Sequence, residues 1–179
     1  MFTKMIFMAE LNIPDGVKVE VAGEKIVISG KLGKNERKFN ANLLSVSIDG
    51  NKILIKPAEE KKIAKKARIA ETSLLKEIQN DIKGVQEYYT ISMKAVFAHF
   101  PLTMEFKNGN VYINNLFGER VPRIARIVGD TKVEIKGQDL TLKGTSLDNV
   151  TQSAANIRKA CRAKDKDIRI FQDGIYYAQ

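Results

Sequence analysis

An internal repeat divides this chain into two copies of one strand-rich pattern. Residues 17–21 alternate apolar and polar side chains, and so do residues 102–106, which lie 85 positions later. The same offset places residues 26–28 onto 111–113, and Gly33 onto Gly118, without a gap. Alternation with a period of two is typical of a half-buried strand, because successive side chains point to opposite faces. The repeat therefore predicts two similar folding units.

A second pair of strands follows in each copy. Residues 46–50 correspond to residues 133–137, and residues 53–56 to residues 140–143, at an offset of 87. The dipeptides Asp49-Gly50 and Asn108-Gly109 lie between predicted strands. Because Asp, Asn and Gly tolerate positive φ, both dipeptides predict tight hairpin turns.

Each copy continues from its last hairpin into an amphipathic helix. In the first copy apolar residues recur every three or four positions from Ile63 to Ile82, which predicts one apolar stripe. Pro57 and Gly84 flank that stripe as start and stop signals. Thr145 and Asp148 have the spacing of a capping box at the start of the second helix. The buried face of the second helix is predicted from Val150, Ala154, Ile157 and Cys161.

A strand is predicted to close each copy, at residues 89–97 in the first and at residues 168–171 in the second. The predicted fold class is α+β, with two tandem similar domains, each an antiparallel sheet with one face covered by a helix. Pro101 marks the predicted boundary, since the residue before a proline is disfavoured in a helix. The predicted domains are residues 1–98 and 99–179.

The residues give little support for an enzymatic function. The single histidine, His99, has no Cys or Ser motif beside it to complete a nucleophilic triad. Residues 30–35 resemble a phosphate loop but lack its spacing and its Ser or Thr after Lys. One Cys and one His are too few for a structural zinc site. We expect no metal, cofactor, small-molecule substrate or membrane span; the rival hypothesis is an enzyme that uses the domain cleft, with His99 as base.

Positive charge points instead to a polyanionic partner. Thirty Lys and Arg against twenty-one Asp and Glu give a formal charge of +9, and phosphate contacts release condensed counterions. Glutamates dilute the lysines of the first helix, so that helix is interpreted as a solvated face. The predicted RNA-binding cations lie in the second copy: Arg120, Arg123, Arg126, Arg158, Lys159, Arg162, Lys164, Lys166 and Arg169.

Aromatic residues follow these cations at the end of the chain. The segment 171–177 reads Phe-Gln-Asp-Gly-Ile-Tyr-Tyr. RNA binding uses this mixture, because Lys and Arg reach phosphates while aromatic rings and guanidinium planes stack on bases. The chemistry of the residues alone predicts a basic, two-domain, RNA-binding protein.

Several motifs resemble a known family. Residues 114–123, Asn-Asn-Leu-Phe-Gly-Glu-Arg-Val-Pro-Arg, with residues 129–137, closely resemble the archaeal and eukaryotic branch of the large-subunit ribosomal protein L-six family. So do residues 152–157 and 171–176, and residues 12–17 look like that family's opening. The resemblance covers nearly the whole chain with its motifs in order. The Lys, Ile and Glu content and the lack of a long N-terminal extension favour an archaeal source.

The resemblance implies a structural constituent of the large ribosomal subunit, cytoplasmic and ribosome-associated. Its two duplicated α+β domains would bind large-subunit ribosomal RNA mainly through the second domain, near the sarcin–ricin loop. Neighbouring ribosomal proteins and translational GTPases would lie close by. The alternative is a free-standing RNA-binding regulator. The RNA contacts carried over from the family are Arg158, Arg162, Lys164, Lys166, Arg169, Phe171, Gln172 and Tyr176; the bacterial branch's Gly/Lys-rich loop is missing here.

Overall fold

The structure is a computed structural model that describes residues 9–58, 63–98, 100–164, 166–167 and 169–178. The chain divides into two compact units, of which the first ends at Glu87 and the second begins at Tyr88. Within the described residues, neither helix combines the length and the hydrophobicity that crossing a membrane requires.

The first unit contains two three-stranded antiparallel sheets and one helix in its described part. The elements are β1 (Ala9–Asn12), β2 (Lys18–Ala22), β3 (Lys25–Gly30), β4 (Gly33–Lys38), β5 (Leu44–Asp49), β6 (Lys52–Pro57) and α1 (Ala64–Gln86). The sheet orders are β1-β6-β5 and β2-β3-β4. Leu74 and Ile78 of α1 pack into one core with Ile26 and Ile55 of the sheets, so the predicted apolar stripe of α1 is confirmed.

The second unit repeats this plan and adds a strand, again within the described residues. Its elements are β7 (Tyr89–Val96), β8 (Thr103–Lys107), β9 (Asn110–Asn114), a 3₁₀ turn (Leu116–Gly118), β10 (Arg123–Arg126), β11 (Lys132–Lys136), β12 (Asp139–Gly144), α2 (Leu147–Ala160) and β13 (Gly174–Tyr177). The sheet orders are β10-β9-β8 and β11-β12-β7-β13. The predicted face of α2 is confirmed, since Val150, Ala154, Ile157 and Cys161 all lie in the core.

The α+β class and the tandem duplication are confirmed. The hairpins β5–β6 and β8–β9 turn where the sequence predicts, with φ of 57° at Gly50, 51° at Asn108 and 72° at Gly109. A single sheet was expected in each unit, but each unit has two sheets. The strand pairs of the repeat do not join edge to edge. The helix packs against strands of both sheets in either unit.

Strand β7 belongs to the second unit, so the prediction that it closes the first copy is wrong. It lies between β12 and β13, with Met93 opposite Leu140. In the first unit β1 takes the equivalent place, with Leu11 opposite Ile53. This strand therefore opens each copy, and the division falls after Glu87 and not after residue 98. Alternation identified β7 as a strand, but its partner depends on which core its buried face completes.

The predicted closing strand at residues 168–171 is also wrong for its described part. A carboxylate oxygen of Asp167 accepts a hydrogen bond from the backbone N–H of Arg169 at 2.9 Å. The carbonyl of Asp167 accepts from the N–H groups of Ile170 and Phe171 at 3.1 and 2.9 Å. This local turn competes with strand pairing, and β13 forms the closing strand further along the chain.

The helix ends differ from two sequence signals. Gly84 lies buried inside α1, which continues to Gln86. The N-cap of α2 is Ser146 and not Thr145. The Ser146 side chain accepts a hydrogen bond from the N–H of Asn149. Pro57 ends β6, and the residues between it and Ile63 fall partly outside the described ranges.

Candidate nucleic-acid interface

A groove with a volume of about 570 Å³ lies on the second unit between the end of α2 and β13. Residues 158–159 and 161–163 form one wall, hereafter the α2 wall. Phe171 and residues 173–176 form the other, hereafter the aromatic wall, and Phe117 also lines the groove. The α2–β13 groove brings together five of the residues predicted to bind RNA: Arg158, Lys159, Arg162, Phe171 and Tyr176.

Helix geometry places the cations of the α2 wall. Ile157 and Cys161 are buried in the core, so the residues next to them in the sequence point away from it. Arg158 and Arg162 are four positions apart and both exposed, so both lie on one side of the helix end. Cations at the C-terminal end of a helix also interact favourably with its dipole.

Arg158 reaches from α2 to the aromatic wall. Its guanidinium carbon lies 5.4 Å from the ring centroid of Tyr176 and 5.8 Å from that of Tyr177. These distances are typical of cation–π contacts. The hydroxyl of Tyr176 donates to the carbonyl of Gln172 at 2.9 Å. Both hydrogen bonding and the cation therefore hold the Tyr176 ring in place.

A second cation–π contact lies at the start of the aromatic wall. The ammonium of Lys166 is 4.9 Å from the ring centroid of Phe171. Phe171 meets Phe117 edge to face, with centroids 6.2 Å apart and an interplanar angle of 81°. Lys166 is therefore a predicted RNA-binding cation that lies next to the groove, against Phe171, but is not part of the groove lining.

Arg123, one of the cations predicted from the sequence to bind RNA, is directed into the protein. Its Nε and Nη2 donate to the carboxylate of Glu119 at 2.8 and 2.6 Å. Its Nη1 donates to the carbonyls of Ala160 and Arg162 at 2.9 and 2.6 Å. Ala160 is the last residue of α2, so Arg123 satisfies a carbonyl that the helix leaves without an internal partner. Its guanidinium carbon also lies 5.4 Å from the Phe117 ring.

Two ionisation equilibria close to Arg123 are shifted, one by charge and one by burial. Its hydrogen bond lowers the pKa of Glu119, and the positive charges of Lys164 and Lys166 lower it further. Burial raises the pKa of the Cys161 thiol to about 11. Cys161 is therefore a neutral thiol at physiological pH and contributes shape, not charge, to the groove.

The backbone before β10 adopts an uncommon conformation that places Phe117. The φ angles are 58° at Asn115, 53° at Phe117 and 75° at Gly118. A Cβ added to Gly118 would lie 3.3 Å from the ring of Phe100. Left-handed conformations at residues other than glycine store strain and are concentrated at functional sites. Here the strained turn holds an aromatic ring in the groove.

The remaining predicted residues lie outside the groove lining. Arg120, Arg126, Lys164, Arg169 and Gln172 are all exposed. The Arg169 side chain is 90% exposed, with its Nε 3.6 Å from an oxygen of Asp167. The Gln172 amide donates to the carbonyl of Arg169 at 3.1 Å. The four cations are accessible charge on the second unit, and Gln172 fastens the 169–172 turn.

Three residues of the site are not among those predicted one by one: Phe117, Asp173 and Tyr177, of which the last two lie in the predicted segment 171–177. Asp173 is 4% exposed, and its Oδ1 accepts from the N–H of Ala98 at 2.9 Å. Its position between Phe171 and Tyr176 was a usable signal. Nothing in the sequence could place Phe117, because its role depends on the turn described above.

The first unit presents a different basic surface. Lys65, Lys66 and Arg68 are exposed along α1, whereas Lys61 and Lys62 lie outside the described residues, as does His99. Residues 30–35 form the hairpin between β3 and β4, with Gly30 opposite Gly33. Within the described ranges no three His, Cys, Asp or Glu residues come close enough together to hold a metal ion.

Comparisons with known proteins match both units. A family model described as ribosomal protein L6 matches residues 102–174. The large ribosomal subunit protein uL6 of Methanocella arvoryzae is 39% identical over 168 residues, which cover 93% of each chain. Its counterpart in Methanosphaera stadtmanae is 40% identical over 177 residues, 96% of this chain and 95% of the relative. The protein of Thermoplasma volcanium is 40% identical over 166 residues, which cover 93% of this chain and 92% of the relative.

Proposed function

Because this chain belongs to the ribosomal protein L6 family, we propose that it is a structural constituent of the large ribosomal subunit. It binds ribosomal RNA through the second unit, and it acts in the cytoplasm as part of the ribosome. The observation that carries this proposal is the α2–β13 groove, where Arg158, Arg162 and Tyr176 lie together. Cations that neutralise phosphates and rings that stack on bases are the two contacts RNA requires.

Further exposed cations of the second unit support the same assignment. Arg120, Arg126, Lys164 and Arg169 are exposed and accessible to the phosphates of an RNA backbone. Such a surface recognises the shape and backbone of folded RNA more than a linear sequence. The protein therefore braces a fold of ribosomal RNA and performs no chemical step.

The finer location is the region of the sarcin–ricin loop, with neighbouring ribosomal proteins beside it and translational GTPases close by. Its basis is the resemblance of residues 114–123, 152–157 and 171–176 to the family's motifs. Chemical footprinting of large-subunit RNA with the purified protein tests it. Protection in and next to the sarcin–ricin loop is the expected result. Protection confined to other helices would refute the location and leave RNA binding intact.

Sucrose-gradient sedimentation of a cell extract at moderate salt tests the ribosomal role. A ribosomal constituent sediments with the large subunit, whereas a free-standing RNA-binding regulator stays near the top of the gradient. A protein found only near the top would refute the proposal.

Replacement of three exposed arginines tests the RNA-binding surface. The full-length Arg158→Ala, Arg162→Ala and Arg169→Ala triple variant should bind large-subunit RNA more weakly. The slope of log K against log salt should fall in magnitude by roughly 2 to 3, since each of the three lost phosphate contacts removes about 0.7 to 0.9. The matched control replaces Lys65, Lys66 and Arg68 of α1 with Ala. An equal effect of the control would show that the second unit does not supply the binding surface.

A further inference from the structure

We propose that the α2–β13 groove binds one unpaired nucleotide of the RNA, extruded from its helix. The groove volume of about 570 Å³ lies within the range of pockets that enclose small ligands. Stacking on the rings of the groove needs an accessible base face, which bases inside a paired and stacked stem do not offer. This inference rests on the proposed RNA-binding function and specifies which part of the RNA the groove accepts.

The two walls of the groove differ in charge, which orients the nucleotide. The α2 wall carries Arg158, Lys159 and Arg162, whereas the aromatic wall carries the carboxylate of Asp173. A phosphate is attracted more strongly to the first wall, which carries three cations, than to the second, where the Asp173 carboxylate offsets the charge of Lys166. The phosphate therefore lies against the end of α2 and the base against the aromatic wall. A carboxylate there also accepts hydrogen bonds from the amino group of adenine, cytosine or guanine.

The aromatic wall offers surfaces on which a base can stack. Phe171 and Tyr176 both line the groove, and each ring already lies next to a cation, Lys166 and Arg158 respectively. Bases stack on aromatic rings and on guanidinium planes in single-stranded RNA recognition. The Arg158 guanidinium already lies next to the Tyr176 ring without RNA, so a base entering the groove meets a ring and a guanidinium together.

Both walls are held in place before RNA binds. Hydrogen bonds from Arg123 to the carbonyls of Ala160 and Arg162 fix the end of α2. The aromatic wall is fixed by pairing of β13 with β7 and by the bond from the Tyr176 hydroxyl to Gln172. A preformed site loses less conformational entropy on binding.

The test compares two RNA hairpins with the same stem, one fully paired and one with a single bulged 2-aminopurine nucleotide. The full-length protein should bind the bulged hairpin about tenfold more tightly, which is toward the lower end of what stacking one base contributes. The fluorescence of 2-aminopurine should change on binding as the base moves from solvent onto the aromatic wall. Binding to large-subunit ribosomal RNA is measured in the same buffer.

Ala163 provides a variant that fills the groove without changing charge. It lines the α2 wall and is partly exposed, so Ala163→Leu should remove the tenfold preference and keep the affinity for the paired hairpin. The control is Ala155→Leu, at an exposed position of α2 outside the groove lining, which should retain the preference. Circular dichroism checks that both variants are folded.

The outcomes separate this inference from the proposed function. Binding to ribosomal RNA without any preference for the bulged hairpin refutes the nucleotide site and leaves the proposed function standing. A preference that survives Ala163→Leu, with Ala155→Leu behaving the same, places the nucleotide elsewhere and refutes the site as well. Failure to bind either ribosomal RNA or a hairpin refutes the proposed function and the inference together.

Discussion

Replacement of Arg123 with Gln is expected to loosen the end of α2. The substitution removes two hydrogen bonds to the Glu119 carboxylate, at 2.8 and 2.6 Å, and two to main-chain carbonyls, at 2.9 and 2.6 Å. The Arg123 side chain is 17% exposed and that of Glu119 36%, so water restores part of the lost interaction at the glutamate. We expect the second unit to lose about 3 kcal/mol of local stability, near the lower limit for a broken buried pair.

Amide hydrogen exchange of the full chain measures this loss where it occurs. About 3 kcal/mol corresponds to roughly a hundredfold lower protection for amides in the last turns of α2. The control is Arg126→Gln, an exposed arginine on the same strand, β10, which should change α2 protection less than about threefold. The Arg123→Gln and Glu119→Gln double variant should lose less stability than the sum of the two single variants, because the double variant leaves no unpaired charge behind.

The ion pair also predicts a pH dependence. Arg123 lowers the pKa of Glu119 in the folded protein, so the contribution of the ion pair to stability is complete above the ordinary pKa of a glutamate. It is lost as the pH falls through the lowered folded value. Protection at the end of α2 should therefore be constant from neutral pH to about pH 5 and decrease below about pH 4. Glu119→Gln should remove this decrease.

RNA binding distinguishes a structural Arg123 from one that contacts RNA. Arg123→Gln should weaken binding while the slope of log K against log salt stays the same, whereas Arg158→Gln should reduce the slope by about 0.7 to 0.9. If Arg123→Gln left α2 protection intact and reduced the slope as Arg158→Gln does, the structural role would be refuted.

Three further predictions concern a buried acid, a tightly packed glycine and a buried thiol. Asp81→Ala should lower the unfolding free energy of the first unit by about 3 kcal/mol in urea titrations, because Asp81 is 1% exposed and paired with Arg37; a loss below 1 kcal/mol would contradict this. Gly30→Ala should cost about 1–3 kcal/mol in the same assay, since its Cβ would lie 2.7 Å from a Val85 methyl carbon and 3.0 Å from its carbonyl oxygen; unchanged stability would count against it. Iodoacetamide should alkylate Cys161 at pH 8 at least a hundredfold more slowly in the native protein than in urea, because burial raises its pKa to about 11; equal rates would show an accessible thiol.

Much of the fold followed from the sequence because apolar periodicity reports which face of an element is buried. The repeat at residues 17–21 and 102–106 predicted two similar units, and the Asn108-Gly109 dipeptide predicted a turn that the structure contains. The helix faces around Leu74 and Ile157 were also correct. These are local properties, set by side-chain spacing and backbone preference.

The partners of the elements were decided only by tertiary structure. Alternation marked β7 as a strand, but its pairing with β12 and β13 depends on residues far along the chain. The hydrogen bonds of Asp167 replaced a predicted strand with a turn. Composition could not anticipate either outcome, because several pairings bury similar apolar surface.

The candidate site shows the same division. Cations and aromatics near the end of the chain were recognisable as RNA-binding chemistry, since charge and ring type do not depend on the fold. Which of these residues contact RNA and which stabilise the fold could not be recognised from the sequence. An arginine in the sequence is equally suited to a phosphate or to a carboxylate, and only the folded chain brings Glu119 and the carbonyl of Ala160 to Arg123. Burial beside those acceptors makes Arg123 a structural residue, whereas exposure leaves Arg158 and Arg162 available for RNA.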